Sequence, residues 1–252
     1  MILLNPRNMV RNYPDQRSRE IMEKTIAFFE TKGLTRLKED YNGAVWYADF
    51  IEFCKQEGIL ASLMTPAQQG KDGENAVWDT WRVCGFAEIL GFYGLCYWYV
   101  YQVSVLGIGP IWMSGNQDAQ ARAKRLLDDG HIFAFGLSEK EHGADIYASD
   151  MIVTRLADGS YTASGGKYYI GNANKAAMVS VFGKMADSGE YIFFVADSQH
   201  PNYKLIRNTV YSQNYVAEFH LDNYPFTEAD VLHKGDDAWN AALNTINIGK
   251  YN

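Results

Sequence analysis

Phe133-Ala134-Phe135-Gly136-Leu137-Ser138-Glu139-Lys140-Glu141-His142-Gly143-Ala144-Asp145 is where the pattern of the chain changes. Before it the apolar residues keep a helical rhythm, and after it come short β-rich runs separated by turn signals. On the helical side, residues 17–33 carry Ile21, Met22, Thr25, Phe28 and Phe29 on one face and stop at Gly33. Residues 46–58 repeat the pattern with Trp46, Phe50, Phe53 and Cys54, ending at Gly58. A loop from Thr65-Pro66 to Asn75 precedes predicted helices over 76–90, 94–105 and 116–127, the last capped by Asn116 or Asp118 and stopped by Gly130. On the β side, the runs 151–156 and 160–163 flank Asp158-Gly159, a strong hairpin signal. Further strands are predicted at 167–170, 178–183, 191–196, 203–206 and 216–221, and a helical rhythm resumes at Ala238 with Trp239, Leu243, Ile246 and Tyr251. The fold class is α+β: an all-helical domain over 1–133, a small antiparallel β-barrel or sandwich over 134–237, and the start of a further helical domain over 238–252.

Composition narrows the function classes. The 252 residues are 47% hydrophobic and 21% charged, which suits a globular core and excludes a disordered tail or a disulfide miniprotein. A net charge of −7 with no basic block argues against nucleic acid as a partner. Three cysteines, Cys54, Cys84 and Cys96, form no CxxC pair and suit a reducing cytoplasm. Residues Met1 to Arg7 contain only a four-residue apolar start, with no secretory h-region. From Ile89 to Ser114 there is no charged residue, a length that approaches a membrane span. Its glycines, Pro110, Gln102 and Ser104, and aromatics spread along its whole length, read instead as a helix buried in protein. That helix is also the expected home for much of the 14% aromatic content.

Several motifs fail on inspection. Gly136-Leu137-Ser138-Glu139-Lys140 lacks the final glycine of a nucleophile elbow. Gly165-Gly166-Lys167 lacks the upstream glycine and following hydroxyl of a phosphate-binding loop, and reads as a turn before a strand. His142 with Glu139 and Asp145 lacks a helical frame, and no metal is expected. The 133–145 segment itself is more informative, because small and apolar residues give way to a polar loop that can present hydroxyl and backbone N–H groups to a planar anionic cofactor. Gly166-Lys167-Tyr168-Tyr169-Ile170-Gly171-Asn172-Ala173 adds an aromatic beside a glycine at a strand end, a place where a ring cofactor is flanked.

Together these two segments resemble the signatures of the flavin-dependent acyl-CoA dehydrogenase family. The first signature reads Ala-x-x-x-Thr-Glu-Pro-x-x-Gly-Ser-Asp, matched here by Ser138-Glu139-Lys140-Glu141-His142-Gly143-Ala144-Asp145. The second reads Gly-x-Lys-x-Trp-Ile-Thr-Asn-Ala, matched by Gly165-Gly166-Lys167-Tyr168-Tyr169-Ile170-Gly171-Asn172-Ala173. The likeness extends more weakly back to Gly107–Asp118 and forward to Val231-Leu232. It implies an N-terminal helical domain, a middle β domain and a C-terminal four-helix bundle, the last absent here, so that the chain reads as truncated. It also implies FAD, with Phe135, Leu137 and Ser138 lining the flavin and Tyr169 in place of the tryptophan packed on its ring. Gly143 and Ala144 belong to the same cofactor-binding set. Ala144 replaces a serine near the pyrophosphate and acyl-CoA, and Gly171 replaces a threonine that bonds the flavin.

The implied activity is α,β-dehydrogenation of an acyl-CoA thioester in fatty acid metabolism, with an electron-transferring flavoprotein as acceptor. The family's glutamate base lies in the C-terminal bundle, and here no glutamate follows Glu228; Asp230, Asp236 and Asp237 are the only later acids. No catalytic residue is therefore assigned, and homo-oligomers are expected only with the bundle. The rival readings are an acyl-CoA oxidase or flavin monooxygenase of the same superfamily, and a non-catalytic assembly subunit.

Overall fold

The computed structural model describes residues 5–8, 13, 15–67, 78–210 and 215–250. The expectations that fall on residues 1–4, on 68–75 of the predicted loop, on 76–77 and on Tyr251 lie outside the described residues. The helical part comprises α1 (Gln16–Lys32), α2 (Leu34–Asn42), α3 (Ala48–Gln56), α4 (Ile59–Met64), α5 (Thr80–Tyr93), α6 (Leu95–Met113) and α7 (Gln117–Asp128). The strands are β1 (Phe133–Gly136), β2 (Ile152–Arg155), β3 (Tyr161–Gly171), β4 (Met178–Met185), β5 (Tyr191–Asp197), β6 (Tyr203–Asn208), β7 (Val216–Phe226) and β8 (Val231–Lys234). A last helix, α8, spans Gly235–Ile248.

The architecture is the expected α+β, with one eight-stranded sheet in the order β6-β7-β3-β2-β4-β5-β8 and β1 paired to β4. The sheet is not closed, and it is mixed rather than wholly antiparallel. Both β1 and β2 run parallel to β4, β1 beside Met178–Val181 and β2 beside Lys184–Met185. They therefore occupy one edge of β4 end to end, while β5 takes the other. The residues between β1 and β2 make an excursion that leaves that edge and returns to it. This is the segment that holds the first signature.

Side chains of β4 and β5 alternate between two cores, as the two-residue repeat of a strand requires. Met178, Phe182, Phe193 and Val195 face the helices, and Val179, Val181, Ile192 and Phe194 face the interior of the sheet. Burial on both faces explains why these strands read as continuous apolar runs. In the helical core Phe29 stacks on Tyr93 at 4.7 Å and meets Tyr97 edge-on at 4.9 Å. The charge-free stretch is accounted for by the end of α5 and the whole of α6, on which Tyr97, Val100, Tyr101 and Ile108 are buried. No helix among the described residues is long and apolar enough to cross a membrane.

The helix predicted to stop at Val105 runs on to Met113 through Pro110. Its glycine at 107 serves close approach rather than termination: a Cβ there would lie 2.5 Å from the Ala134 backbone nitrogen and 2.8 Å from its carbonyl. α6 therefore packs backbone to backbone on β1, the strand that leads into the first signature.

Candidate functional site

Two stretches far apart in sequence meet beyond β1 and along the second half of β3. The Tyr168 amide donates to the Ser138 carbonyl at 3.0 Å, continuing the edge that β1 begins. Beneath this contact lies Lys167, fully buried. Its Nζ donates to Glu139 Oε1 at 2.6 Å and to the Leu137 carbonyl at 3.0 Å. Glu139, itself buried, also accepts from the Ser149 hydroxyl and, at 2.7 Å, from the Asp150 amide. Both ends of the excursion are thus tied to β3 by one ion pair.

Burial raises the Glu139 carboxyl, but the Lys167 ammonium, the Ser149 hydroxyl and the Asp150 amide outweigh it and hold it below its ordinary range. Burial pulls Lys167 down to about 8 even with Glu139 beside it. The pair is charged at neutral pH.

The outer part of the excursion is organised by His142. Its Nδ1 lies 3.0 Å from Asp145 Oδ2 and its Nε2 3.1 Å from Asp150 Oδ2. Asp145, and then Asp150, hold the imidazolium above its ordinary range. Glu139, His142 and Asp150 carry ligand-type atoms within 4.8 Å of one another. In that cluster Lys167 already pairs Glu139, and the two aspartates engage both imidazole nitrogens.

The expected site residues fall into two groups. Ser138, Gly143, Ala144 and Tyr169 are each exposed. Phe135 is half-buried with its ring stacked on Phe193 at 5.8 Å, and Leu137 and Gly171 are buried beneath. The amide of Gly143 is not free, since it donates to Asp145 Oδ1 at 2.8 Å. Tyr169 is 56% exposed and has φ of 62°. It lies where the β3–β7 register shifts between Lys167 and Ile170, so a bulge turns its ring outward. A left-handed backbone at a bulky residue costs of order 1–3 kcal/mol and persists where the surroundings impose it.

Asn172 imposes it from one side. Fully buried at φ 62°, it donates through Nδ2 to the Val100 carbonyl at 3.0 Å, the Phe133 carbonyl at 3.1 Å and Ser104 Oγ at 3.2 Å. α6, β1 and the end of β3 are locked at this one side chain. An exposed aromatic ring on strained backbone, beside an exposed hydroxyl at Ser138 and an open loop at 143–144, fits a planar group with a polar edge. Three residues that build this surface had no assigned part in the cofactor site: Asn172; Lys167, weighed only as part of a phosphate loop; and Glu139, weighed only as a metal ligand. Each sits inside a signature segment, but the partner that gives it a role is 28 to 72 positions away.

The fold, as a whole, occurs in known proteins. Over 94% of this chain, the structure superposes with a TM-score of 0.82 on the butyryl-CoA dehydrogenase of Megasphaera elsdenii, at 20% identity and covering 64% of that chain. The fold is that of the acyl-CoA dehydrogenases. An acyl-CoA dehydrogenase from Bacillus anthracis, solved in complex with FAD, superposes with a TM-score of 0.80 over 95% of this chain and 42% of its own, at 20% identity. In sequence, an acyl-CoA dehydrogenase of Bacillus subtilis strain 168 is 27% identical over 154 residues, 58% of this chain. That match spans 40% of the curated relative's length. No protein-family model matches the chain. The acyl-CoA dehydrogenase likeness agrees with the family that the two segments resemble.

Proposed function

We propose that this chain carries the flavin-facing and thioester-facing surfaces of an acyl-CoA dehydrogenase-type flavoprotein that acts on an acyl-CoA. The single observation that carries it is the convergence of the two signature segments through Lys167, Glu139 and the Ser138–Tyr168 contact. Residues 1–133, 134–237 and 238–252 correspond in this proposal to the helical, middle β and following helical domains. Bound FAD supplies a two-electron acceptor for the hydrogen leaving the β-carbon of the acyl chain.

The chain's own residues bind and orient. Tyr169 offers its ring face, and Ser138 offers a hydroxyl at the polar edge of that surface. Phe135 and Leu137 back the surface from below. Gly143 and Ala144 leave the loop open for the pyrophosphate of the cofactor and for the thioester substrate. The nearby carboxylates are engaged, Glu139 by Lys167 and Asp145 and Asp150 by His142. No residue of this chain is assigned as the base for the α-proton. The electron acceptor in this proposal is an electron-transferring flavoprotein, and three cysteines with no CxxC pair fit a cytoplasmic setting.

Titrating the chain with FAD and following its fluorescence tests the proposal. Weak binding that Tyr169→Ala abolishes is the expected result, with negligible reduction of an acceptor dye on addition of butyryl-CoA to this chain alone. Absence of FAD binding refutes the flavoprotein assignment. Rapid dye reduction refutes the statement that no base is present.

A further inference from the structure

On α6, Tyr97 and Tyr101 point into the helical core, whereas Tyr99 and Val103 face the end of β3. A Cβ built on Gly171 would lie 2.6 Å from the Tyr99 hydroxyl oxygen, 3.0 Å from Tyr99 Cζ and 2.8 Å from Val103 Cγ2. A side chain at 171 and the phenol of Tyr99 therefore exclude one another. The hydroxyl stands where that side chain would begin, two residues from the outward-turned ring of Tyr169. It has no hydrogen-bond partner among the described residues. Burial, and then the neighbouring Tyr169, push the phenol up to about 12, so it remains a proton donor throughout the neutral range. The hydroxyl is not sealed from solvent, so a bound group at this surface can take up its free donor.

We propose that Tyr99 is a cofactor-contacting residue whose hydroxyl donates a hydrogen bond to the flavin held against Tyr169, taking the place of a side chain at position 171. The proposal rests on the flavoprotein assignment above and adds a residue from a different element, distant in sequence, to the site.

Two variants of the full chain separate this role from packing. Tyr99→Phe keeps the ring and removes only the hydroxyl. It is expected to lower FAD affinity about 2- to 10-fold, the loss of one neutral hydrogen bond, and to shift the visible absorption bands of the bound flavin while leaving the melting temperature nearly unchanged. Val103→Ala removes bulk from the same contact without touching a polar group, and is expected to lower the melting temperature while leaving the flavin bands in place. Unchanged FAD affinity and an unchanged flavin spectrum in Tyr99→Phe overturn the proposal while leaving the flavoprotein assignment intact. A wild-type chain that binds no FAD overturns both. The geometric premise is read without any flavin: a Gly171→Thr chain as stable as wild type shows that the phenol does not occupy that space.

Discussion

Lys167→Met removes the cation on which the candidate site is hung. Glu139 then loses its partner at 2.6 Å and the Leu137 carbonyl loses its donor at 3.0 Å, both in a fully buried setting. Breaking one side of a buried ion pair costs about 3–5 kcal/mol, because the remaining charge is left uncompensated. For a chain of this size that corresponds to a fall in Tm of about 6–20 °C. The double variant Lys167→Met/Glu139→Leu removes both charges and leaves the Leu137 carbonyl without its donor and the Ser149 hydroxyl and the Asp150 amide without their acceptor. It is expected to recover to within about 2 kcal/mol of wild type. The pair also leaves a pH signature. Lys167 is held at about 8 against an ordinary 10.5, so the unfolded chain binds more protons than the fold between these values. Stability from this group therefore rises as pH climbs from about 8 to 10.5 and is lost as pH falls back through 8. The double variant loses that slope. Urea unfolding followed by tryptophan fluorescence, with Cm compared at constant m, measures all three effects. A single variant within about 1 kcal/mol of wild type, or a double variant no more stable than the single, refutes the description of Lys167–Glu139 as the tie that locates the loop.

Three further outcomes follow from contacts elsewhere in the fold. Gly107→Ala places a Cβ against the rigid backbone of Ala134 at 2.5 Å, so α6 must lift from β1 at a cost of about 1–3 kcal/mol, readable by calorimetry. Asn172→Ala strips its Nδ2 contacts from the Val100 and Phe133 carbonyls and Ser104 and strains the backbone at φ 62°, costing about 2–4 kcal/mol in urea unfolding. Asn172→Gly, which tolerates that φ, should be milder by about 1 kcal/mol. Asp15 caps α1 and pairs with Arg82 at 2.9 Å; burial raises its carboxyl, but Ser18 and Arg82 outweigh this and hold it at about 2 against 3.8. Its contribution is present above pH 4 and disappears as pH falls toward 2, and Asp15→Asn flattens that part of a Tm-against-pH curve.

The boundary between helical and β parts was legible at Phe133 because a change of period is a local property of the chain. Strand β1 itself was not, since four residues become a strand only through parallel pairing with β4, some 45 positions on. Helix α2 was missed because it is strongly charged and buries little beyond Leu37 and Asp40. Helix α4 was missed because six residues give too short a period to detect. The helix predicted to end at Val105 continues past Gly107, where the glycine admits the backbone of β1. At the site, both signature segments could be read, but the ion pair joining them could not, because a lone lysine before a strand carries no sign of a glutamate 28 residues earlier. Where the outward turn of Tyr169 originates was equally hidden, since a bulge is set by register with β7 and not by the residues that bulge.

The substitutions at 144 and 171 look alike in sequence, each replacing a hydroxyl residue of the acyl-CoA dehydrogenase signatures by one without a polar side chain. Structurally they are opposite cases. Ala144 is exposed, and a Cβ on the adjacent Gly143 would meet nothing within 4 Å. The hydroxyl lost there has left open space, and Ala144→Ser should restore it without displacing any group. Gly171 is buried against Tyr99 and Val103, so no side chain fits unless α6 gives way. A hydroxyl of different origin already stands at that point, delivered from a helix 72 positions earlier in the chain. Ala144→Ser should therefore leave Tm unchanged, whereas Gly171→Thr should lower it by about 2–12 °C, from an overpacking cost of about 1–3 kcal/mol. Equal effects of the two would mean that α6 does not hold Tyr99 against the end of β3, and the exchange of one hydroxyl for another across that contact would fall with it.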